Sequence, residues 1–274
     1  MMKPPIHIRL CEKDLLVPSG TRLLELREQH KPGADVVVLN GFPAAEDCVL
    51  AEGDEVVLIT RGEIPREEDL EALIAARHTP GVHDVLKDAV VGIAGLGGLG
   101  SSVAVALARV GIGTLVLADF DVVEPSNLNR QQYFIDQIGQ FKTEAISANL
   151  RRIHPGVTLE PHRMRLDAEN VPNVFASVQV LVEAFDTAEA KAMLVESFAR
   201  ARPGVPMVAA SGLAGHGAGN PILTRKLGNA LWVVGDLEAA AAPGMGLMAP
   251  RVGIAAHHQA NAVIRLLLGE SPTA

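Results

Sequence analysis

Cysteine is scarce in this sequence, and its scarcity excludes two classes of protein. The 274 residues include only two cysteines, Cys11 and Cys48. A disulfide framework is therefore not expected, and a four-cysteine zinc site cannot form within one chain. Each cysteine is more typical of a small buried hydrophobic residue than of a nucleophile.

Basic residues are also few, and a leader segment is not apparent. Lysine and arginine total 24 against 32 acidic residues, a formal net charge of −8. This balance argues against nucleic acid or a membrane as the main partner. The N-terminus has no apolar run typical of a signal peptide, so we expect a cytoplasmic protein. The uncharged stretch 89–108 is long enough to span a bilayer, but its glycine spacing favours a strand, a turn and a helix.

Residues 1–62 have the pattern of a small β-rich region. Alternating and β-branched runs separated by turn residues predict strand, strand, helix, strand, turn and strand. This is the β-grasp order of ubiquitin-like proteins. The expected elements are strands at 6–10 and 14–17 closed by a turn at 18–20, a helix at 21–30 capped by Thr21, and strands at 36–39 and 55–59.

The residue pattern changes after residue 62. Residues 63–88 are charged and favour a helix, which indicates a linker with a leading helix. From residue 89 to residue 274, apolar β runs alternate with helical segments. Such alternation predicts a Rossmann-like α/β domain, a mainly parallel sheet with helices on both faces.

A glycine-rich turn in this second region predicts a nucleotide site. The apolar strand ending at Ala94 leads directly into Gly95, Gly97, Gly98 and Gly100, and a helix follows. Glycines allow backbone amides to approach a phosphate at the positive end of the helix. Asp119, at the end of the next strand, stands where an acid binds ribose hydroxyls. The turn alone does not distinguish NAD from ATP.

The residues after Asp119 favour ATP. Adenylation needs cations that stabilise charge on the departing pyrophosphate, and Arg130 and Lys142 are suited to that task. It also needs a carboxylate that holds Mg²⁺, and Asp186 follows a buried strand at the expected place. The further candidate nucleotide-binding residues of this loop are Asp121, Asn127 and Gln131.

At this point the chain resembles the ThiF/MoeB family, over roughly residues 77–269. The resemblance rests on GLGGLG at 95–100, DFDVVEPSNLNRQ at 119–131, GQFK at 139–142 and the strand-end Asp186. It implies adenylation by Mg-ATP of the C-terminal Gly-Gly carboxylate of a ubiquitin-like carrier, in a homodimer. The short, zinc-free ThiF branch, associated with thiamine sulfur transfer and the carrier ThiS, is the most similar.

The resemblance also implies roles for individual residues. Asp119 would bind ribose; Asn127, Arg130 and Lys142 would bind the phosphates; Asp186 would hold the metal. Arg77 matches an arginine that reaches into the nucleotide site of the partner subunit. The region lacks the paired Cys-x-x-Cys motifs found in many members, so zinc is not expected. It also lacks a cysteine that could accept the activated carrier, so the implied activity ends at the acyl-adenylate.

Residues 1–62 resemble the carrier ThiS itself, but the chain continues past Gly62 into Glu63. A working carrier ends in a free Gly-Gly, so we interpret this region as a degenerate carrier that regulates, docks or stabilises; a fused domain with no remaining role is the alternative. Two alternatives to the adenylating enzyme remain open. An NAD-dependent oxidoreductase explains the glycine turn and Asp119 but gives Arg130 and Lys142 no role. A non-catalytic module that binds nucleotide or carrier is the other.

Overall fold

The chain forms two compact units in a computed structural model, which describes residues 4–273 apart from the side chains of Glu67 and Glu68. The units are Met1–Asp84 and Val85–Ala274. Residues 63–84, for which we expect a linker and a leading helix, lie in the first unit. In that unit Ala76 packs against Val38 and Val57 of the β-rich region.

The first unit contains β1 (Ile6–Leu10), β2 (Lys13–Val17), α1 (Leu23–His30), β3 (Val36–Leu39), β4 (Phe42–Pro43), β5 (Glu55–Ile59) and α2 (Glu67–Ala75), and α3 (Val82–Leu86) begins at its end. Its strands form a five-stranded mixed sheet in the order β2-β1-β5-β3-β4. The parallel central pair, β1 and β5, is flanked by antiparallel neighbours, so the predicted β-grasp unit is confirmed.

The core of this unit follows from the amphipathic patterns. Leu23 and Leu26 of α1 are buried against Ile8, Val56 and Leu58 of the sheet. Burying each such side chain contributes about 1.5–3 kcal/mol to folding.

Two local predictions in this unit are wrong. The β1–β2 hairpin turns at Cys11 and Glu12, whose φ angles of 48° and 64° lie in the left-handed region, and residues 18–20 follow β2 instead. Thr21 does not cap α1, because its hydroxyl donates to the carbonyl of Pro18 at 2.7 Å. The N-cap residue is Arg22.

The second unit is a seven-stranded sheet in the order β11-β12-β10-β9-β6-β7-β8. Only β11 runs antiparallel to its neighbour, so the predicted Rossmann-like class is confirmed. The elements are β6 (Val90–Ala94), α4 (Gly98–Arg109), β7 (Thr114–Asp119), α5 (Lys142–Ile153), β8 (Thr158–Arg163), α6 (Val171–Val174), β9 (Val180–Glu183), α7 (Ala188–Ala201), β10 (Met207–Ala210), β11 (Leu223–Lys226), β12 (Leu231–Gly235) and α8 (Ala249–Leu267).

The central strands β9 and β10 are buried along their whole length and are apolar except for Glu183 at the end of β9. Residues 180–183 of β9 and 207–210 of β10 are buried throughout, as expected for parallel strands covered on both faces. Phe175 and Phe198 are fully buried beside them. In contrast, the edge strands β8 and β11 are largely exposed and carry charged residues.

The apolar stretch 89–108 forms β6, the glycine turn and most of α4. Among residues 4–273, no helix combines the length and the hydropathy that crossing a bilayer requires.

Candidate nucleotide-binding site

The strand order places a crevice at the carboxyl ends of β6 and β9. From β6 the chain adds β7 and β8 on one side, then crosses to add β9 and β10 on the other. Ala94 at the end of β6 pairs with Ala118 of β7 and with Glu183 of β9. In open α/β sheets, ligands bind in the crevice at such a reversal of strand order. The predicted site residues of the second unit lie in the segments that follow these three strands.

The glycine turn fits this crevice closely. Gly95 has φ of +91°, and a side chain there would place its Cβ 2.8 Å from the carbonyl oxygen of Ala184. A Cβ on Gly100 would collide with the carbonyl oxygen of Gly95. Both positions therefore exclude any larger residue. The turn brings the N-terminus of α4 to the sheet edge, where the helix favours an anion.

Asp119 braces the glycine turn. Its Oδ2 accepts a hydrogen bond from the backbone N–H of Leu96 at 2.7 Å, and its Oδ1 accepts from the N–H of Asp121 at 2.8 Å. Burial raises the pKa of the Asp119 carboxyl, and the positive charge of Lys142 opposes that rise. Each carboxylate oxygen keeps a further lone pair. The carboxylate can therefore hold the turn and still accept from a hydroxyl, as its expected ribose role requires.

Lys142 is buried at the start of α5 and points at Asp121. Its Nζ donates to Asp121 Oδ2 at 2.8 Å, and only 6% of the residue is exposed. The backbone N–H of Lys142 donates to the carbonyl of Asp121 at 2.9 Å. The ammonium group is thus held near Asp119 by its hydrogen bond to Asp121. It retains donors for an anion in the crevice.

The loop after β7 carries two buried polar atoms that lack a partner. Arg130 Nη1 donates to the carbonyl of Ser126 at 3.2 Å and to Asn129 Oδ1 at 2.8 Å. Within the described residues, Arg130 Nε and Gln131 Oε1 have no hydrogen-bond partner although both are buried. Unsatisfied buried groups are rare and costly in a finished fold. A donor and an acceptor left open beside the glycine turn fit a polar ligand such as a nucleotide.

Asn127 has a structural contact in addition to its expected role. Its Oδ1 accepts from the backbone N–H of Glu124 at 3.1 Å and so closes the short helical turn at 125–127. This turn begins the segment that carries Arg130 and Gln131. The phosphate role of Asn127 stays a prediction.

Asp186 lies in the turn after β9 and is exposed. An exposed carboxylate at this edge has the chemistry that Mg²⁺ prefers. Arg77, by contrast, belongs to the first compact unit, where it is exposed beyond the end of α2. The site described here therefore consists of residues of the second unit, and the role of Arg77 stays a prediction.

Two pairs of charged residues beside the site were not assigned a role from the sequence. Glu183 is fully buried and pairs with Lys191 of α7 at 2.9 Å. Asp236 follows β12 and pairs with the buried Arg251 of α8. The sequence signal that could have identified Glu183 is an acid at the end of an otherwise apolar strand. Nothing in the local pattern links the members of the second pair.

Asp236 organises the loops beyond β10 and β12. Its Oδ1 accepts from the backbone N–H groups of Glu238 and Ala239 at 2.8 and 2.9 Å. The hydrogen bond from Ala239, together with Arg251, lowers the pKa of the Asp236 carboxyl. Arg251 also donates to the carbonyl of Ala218 at 2.8 Å. One ion pair therefore fixes two loops at the same sheet edge as the glycine turn.

Comparison with known proteins identifies relatives for both units. Residues 71–274 match the model of the ThiF family, and residues 6–62 match that of the ThiS-like ubiquitin family. The molybdopterin-synthase adenylyltransferase of Salmonella typhimurium is 32% identical over 188 residues, covering 67% of this chain and 75% of that protein. The Escherichia coli K12 protein of the same name is 34% identical over 199 residues, covering 68% and 76%.

A solved structure shares the fold. The E. coli tRNA N6-threonylcarbamoyladenosine dehydratase TcdA, in complex with ATP, superimposes with a TM-score of 0.65 at 22% identity. The match covers 72% of this chain and 92% of that one.

Proposed function

Because the chain belongs to the ThiF family, we propose that it is an adenylyltransferase that activates the C-terminal carboxylate of a ubiquitin-like sulfur carrier protein with ATP. The observation that carries this proposal is the buried Lys142 ammonium group, which Asp121 holds close to Asp119, the residue that braces the glycine turn. The alternative of an NAD-dependent oxidoreductase assigns no role to Lys142 or Arg130. The names of the molybdopterin-synthase adenylyltransferase relatives support the same activity.

In the proposed reaction the protein binds ATP and the carrier and forms no covalent bond with either. A carboxylate oxygen of the carrier attacks the α-phosphorus of ATP, and the bond to the β-phosphate bridging oxygen breaks. Pyrophosphate leaves, and the carrier gains an acyl-adenylate. Lys142 and Arg130 donate to the phosphate oxygens, and Asp119 accepts from a ribose hydroxyl. Catalysis then comes from orientation and from charge stabilisation in a crevice that limits water.

Asp186 is the proposed ligand of Mg²⁺. The metal would neutralise phosphate charge, and an exposed carboxylate at the sheet edge is a suitable ligand. Asp121 keeps Lys142 in place, and Asn127 and Gln131 complete the polar lining. Zinc has no part in the proposal.

The finer assignments are extensions of this proposal. The carrier would be of the ThiS type with a C-terminal Gly-Gly, and the pathway would be thiamine biosynthesis. The enzyme would be a cytoplasmic homodimer in which Arg77 reaches into the nucleotide site of the partner subunit. The proposed division is 1–62 carrier-like, 63–88 linker and leading helix, and 89–274 adenylation domain. The molybdopterin-synthase relatives make a molybdopterin-type carrier the main competitor.

The carrier-like unit would regulate, dock or stabilise, because Gly62 continues into Glu63 and offers no carboxylate to activate. Deletion of residues 1–62 tests this role. Unchanged folding, carrier affinity and turnover would rule it out.

The test of the activity is ATP–pyrophosphate exchange with Mg²⁺. We expect exchange only when a separately supplied Gly-Gly carrier is present, with a ThiS-type carrier more active than a molybdopterin-type one. Asp186→Ala should abolish it, whereas Glu189→Ala, an exposed acid on the next helix, should not. Measurable ATP binding without exchange on any carrier would contradict the activity and favour a binding module.

A further inference from the structure

Glu183 is a buried carboxylate at the edge of the site, and it links the turn that carries Asp186 to α7 and β10. Its Oε1 accepts from the backbone N–H of Phe185 at 2.7 Å and from Lys191 Nζ at 2.9 Å. Its Oε2 accepts from the same Nζ at 2.9 Å and from the N–H of Ala210 at 3.4 Å. None of Glu183 is exposed to solvent.

The turn itself is held residue by residue up to Asp186. The carbonyl of Glu183 accepts from Gln259 Nε2 at 3.0 Å. The N–H of Ala184 donates to the carbonyl of Ala94 at 2.9 Å. The N–H of Phe185 is held by the Glu183 carboxylate, as described. Asp186 is therefore the first exposed residue after three consecutive residues whose backbone is held by hydrogen bonds.

The turn also lies against the glycine turn. The carbonyl of Ala184 lies 2.8 Å from the Cβ position of Gly95, and the ring of Phe185 lies 3.1 Å from it. A displacement of residues 184–185 would therefore move Asp186 relative to the glycine turn.

Stability does not explain a charged pair at this place. Taking a carboxylate and an ammonium group out of water offsets much of their attraction, and apolar residues of similar volume serve a core equally well. An anchored carboxylate that accepts from a specific backbone N–H does fix a geometry, as the residues behind metal ligands commonly do.

We propose that Glu183, held by Lys191, is a positioning residue that fixes the 184–186 turn and so sets Asp186 for the metal-bound phosphates of ATP. This inference rests on the proposed function in one respect, namely the assignment of Asp186 to Mg²⁺. Glu183 does not touch substrate. Its effect reaches the ligand only through the backbone of the turn.

The test is a titration of the full chain with ATP, without carrier, in Mg²⁺ and in EDTA. The measured quantity is the ratio of the two dissociation constants, which reports how much the metal strengthens ATP binding. In Glu183→Gln we expect this ratio to fall about tenfold or more, the range for loss of a residue behind a metal ligand. The EDTA constant should stay within twofold of wild type, because the glycine turn is intact.

The controls separate positioning from general damage. Lys191→Arg keeps a cation for the Glu183 carboxylate and should retain a ratio of dissociation constants near that of wild type. The exposed Glu189→Gln should also leave the ratio unchanged. If Glu183→Gln does not fold, Lys191→Gln carries the same prediction, because it breaks the pair at its more exposed end, where Lys191 is 26% exposed.

A ratio within twofold of wild type in a folded variant would overturn the inference. An equal loss of affinity in Mg²⁺ and EDTA would also overturn it, because that result indicates a structural role alone. Wild-type ATP binding that Mg²⁺ does not strengthen would overturn it as well. Mg²⁺-strengthened binding with no pyrophosphate exchange on any carrier would refute the proposed activity while leaving the positioning role standing.

Discussion

Replacing Lys142 with methionine separates the catalytic role of this site from its contribution to folding. Methionine matches the apolar part of the lysine side chain, so the buried stem keeps its packing while the ammonium group is lost. Lys142 is buried, but its partner Asp121 has a side chain that is 48% exposed. Asp121 can therefore be solvated when the pair is broken, and we expect a loss of about 1 kcal/mol of stability, near the upper end for exposed pairs.

The effect on activity should be much larger. A preorganised donor aimed at charge that develops in the transition state contributes about 3 kcal/mol, or on the order of 10²-fold to 10³-fold in kcat. Lys142 also opposes the burial that raises the pKa of Asp119. Its removal should raise that pKa further and shift the acid limit of ATP binding to higher pH.

The assay is carrier-dependent pyrophosphate exchange in Lys142→Met, together with thermal unfolding of the same preparation. The exposed Lys226→Met is the charge-matched control and should retain wild-type exchange. Exchange within about threefold of wild type in Lys142→Met, in a folded protein, would refute the role of this lysine. If the loss of exchange in Lys142→Met is explained by unfolding of the variant, the catalytic role of Lys142 is not separable from its contribution to folding, and the reasoning is refuted.

Three further predictions concern geometry and pH. Gly100→Ala should abolish ATP binding and lower the melting temperature, because its Cβ would collide with the backbone of Gly95; calorimetry that shows normal ATP binding would contradict this packing. Asp236→Asn should be less stable than wild type at neutral pH. Since folding lowers the pKa of this carboxyl below its ordinary 3.8, the difference in melting temperature should persist above that pH and shrink as the pH falls through the lowered pKa. Phe175→Ala should cost about 3–5 kcal/mol of unfolding free energy in urea, as for other fully buried aromatic residues; a loss below about 1 kcal/mol would show that the core there is loosely packed.

The parts of the fold that were predictable from the sequence are those that local patterns determine. The apolar runs at β6, β7 and β10 and the glycine turn are marked by composition and by the shift from strand to helix periodicity. The family resemblance located the second unit for the same reason, since its motifs lie in the segments that join these elements.

The parts that were missed depend on contacts between distant residues. Ala76 packs against Val38 and Val57 of the β-rich region, and no local pattern encodes this contact. The hairpin turn at Cys11 and Glu12 lacks the usual glycine or asparagine signal. Strands β11 and β12 were not predicted, because they are only four and five residues long and β11 carries two charged residues.

At the site, residue types were predictable and their arrangement was not. The sequence indicated Lys142 and Asp119 as binding groups, but not that Asp121 holds the lysine or that Asp119 braces Leu96. Glu183 was visible as an acid after an apolar run, yet its role depends on Lys191 and on the turn between them. Hydrogen-bond partners brought together by topology are beyond what spacing alone specifies.

The two edge strands of the larger sheet have a consequence for self-association in concentrated solution. A row of unpaired backbone groups at a sheet edge is a template for further strands and hence for aggregation. Pro161 removes one donor from β8, and Arg225 and Lys226 add charge to β11. Both open ends of the sheet therefore discourage the addition of another strand. Fibril-like growth from this protein should begin only after these edges have unfolded.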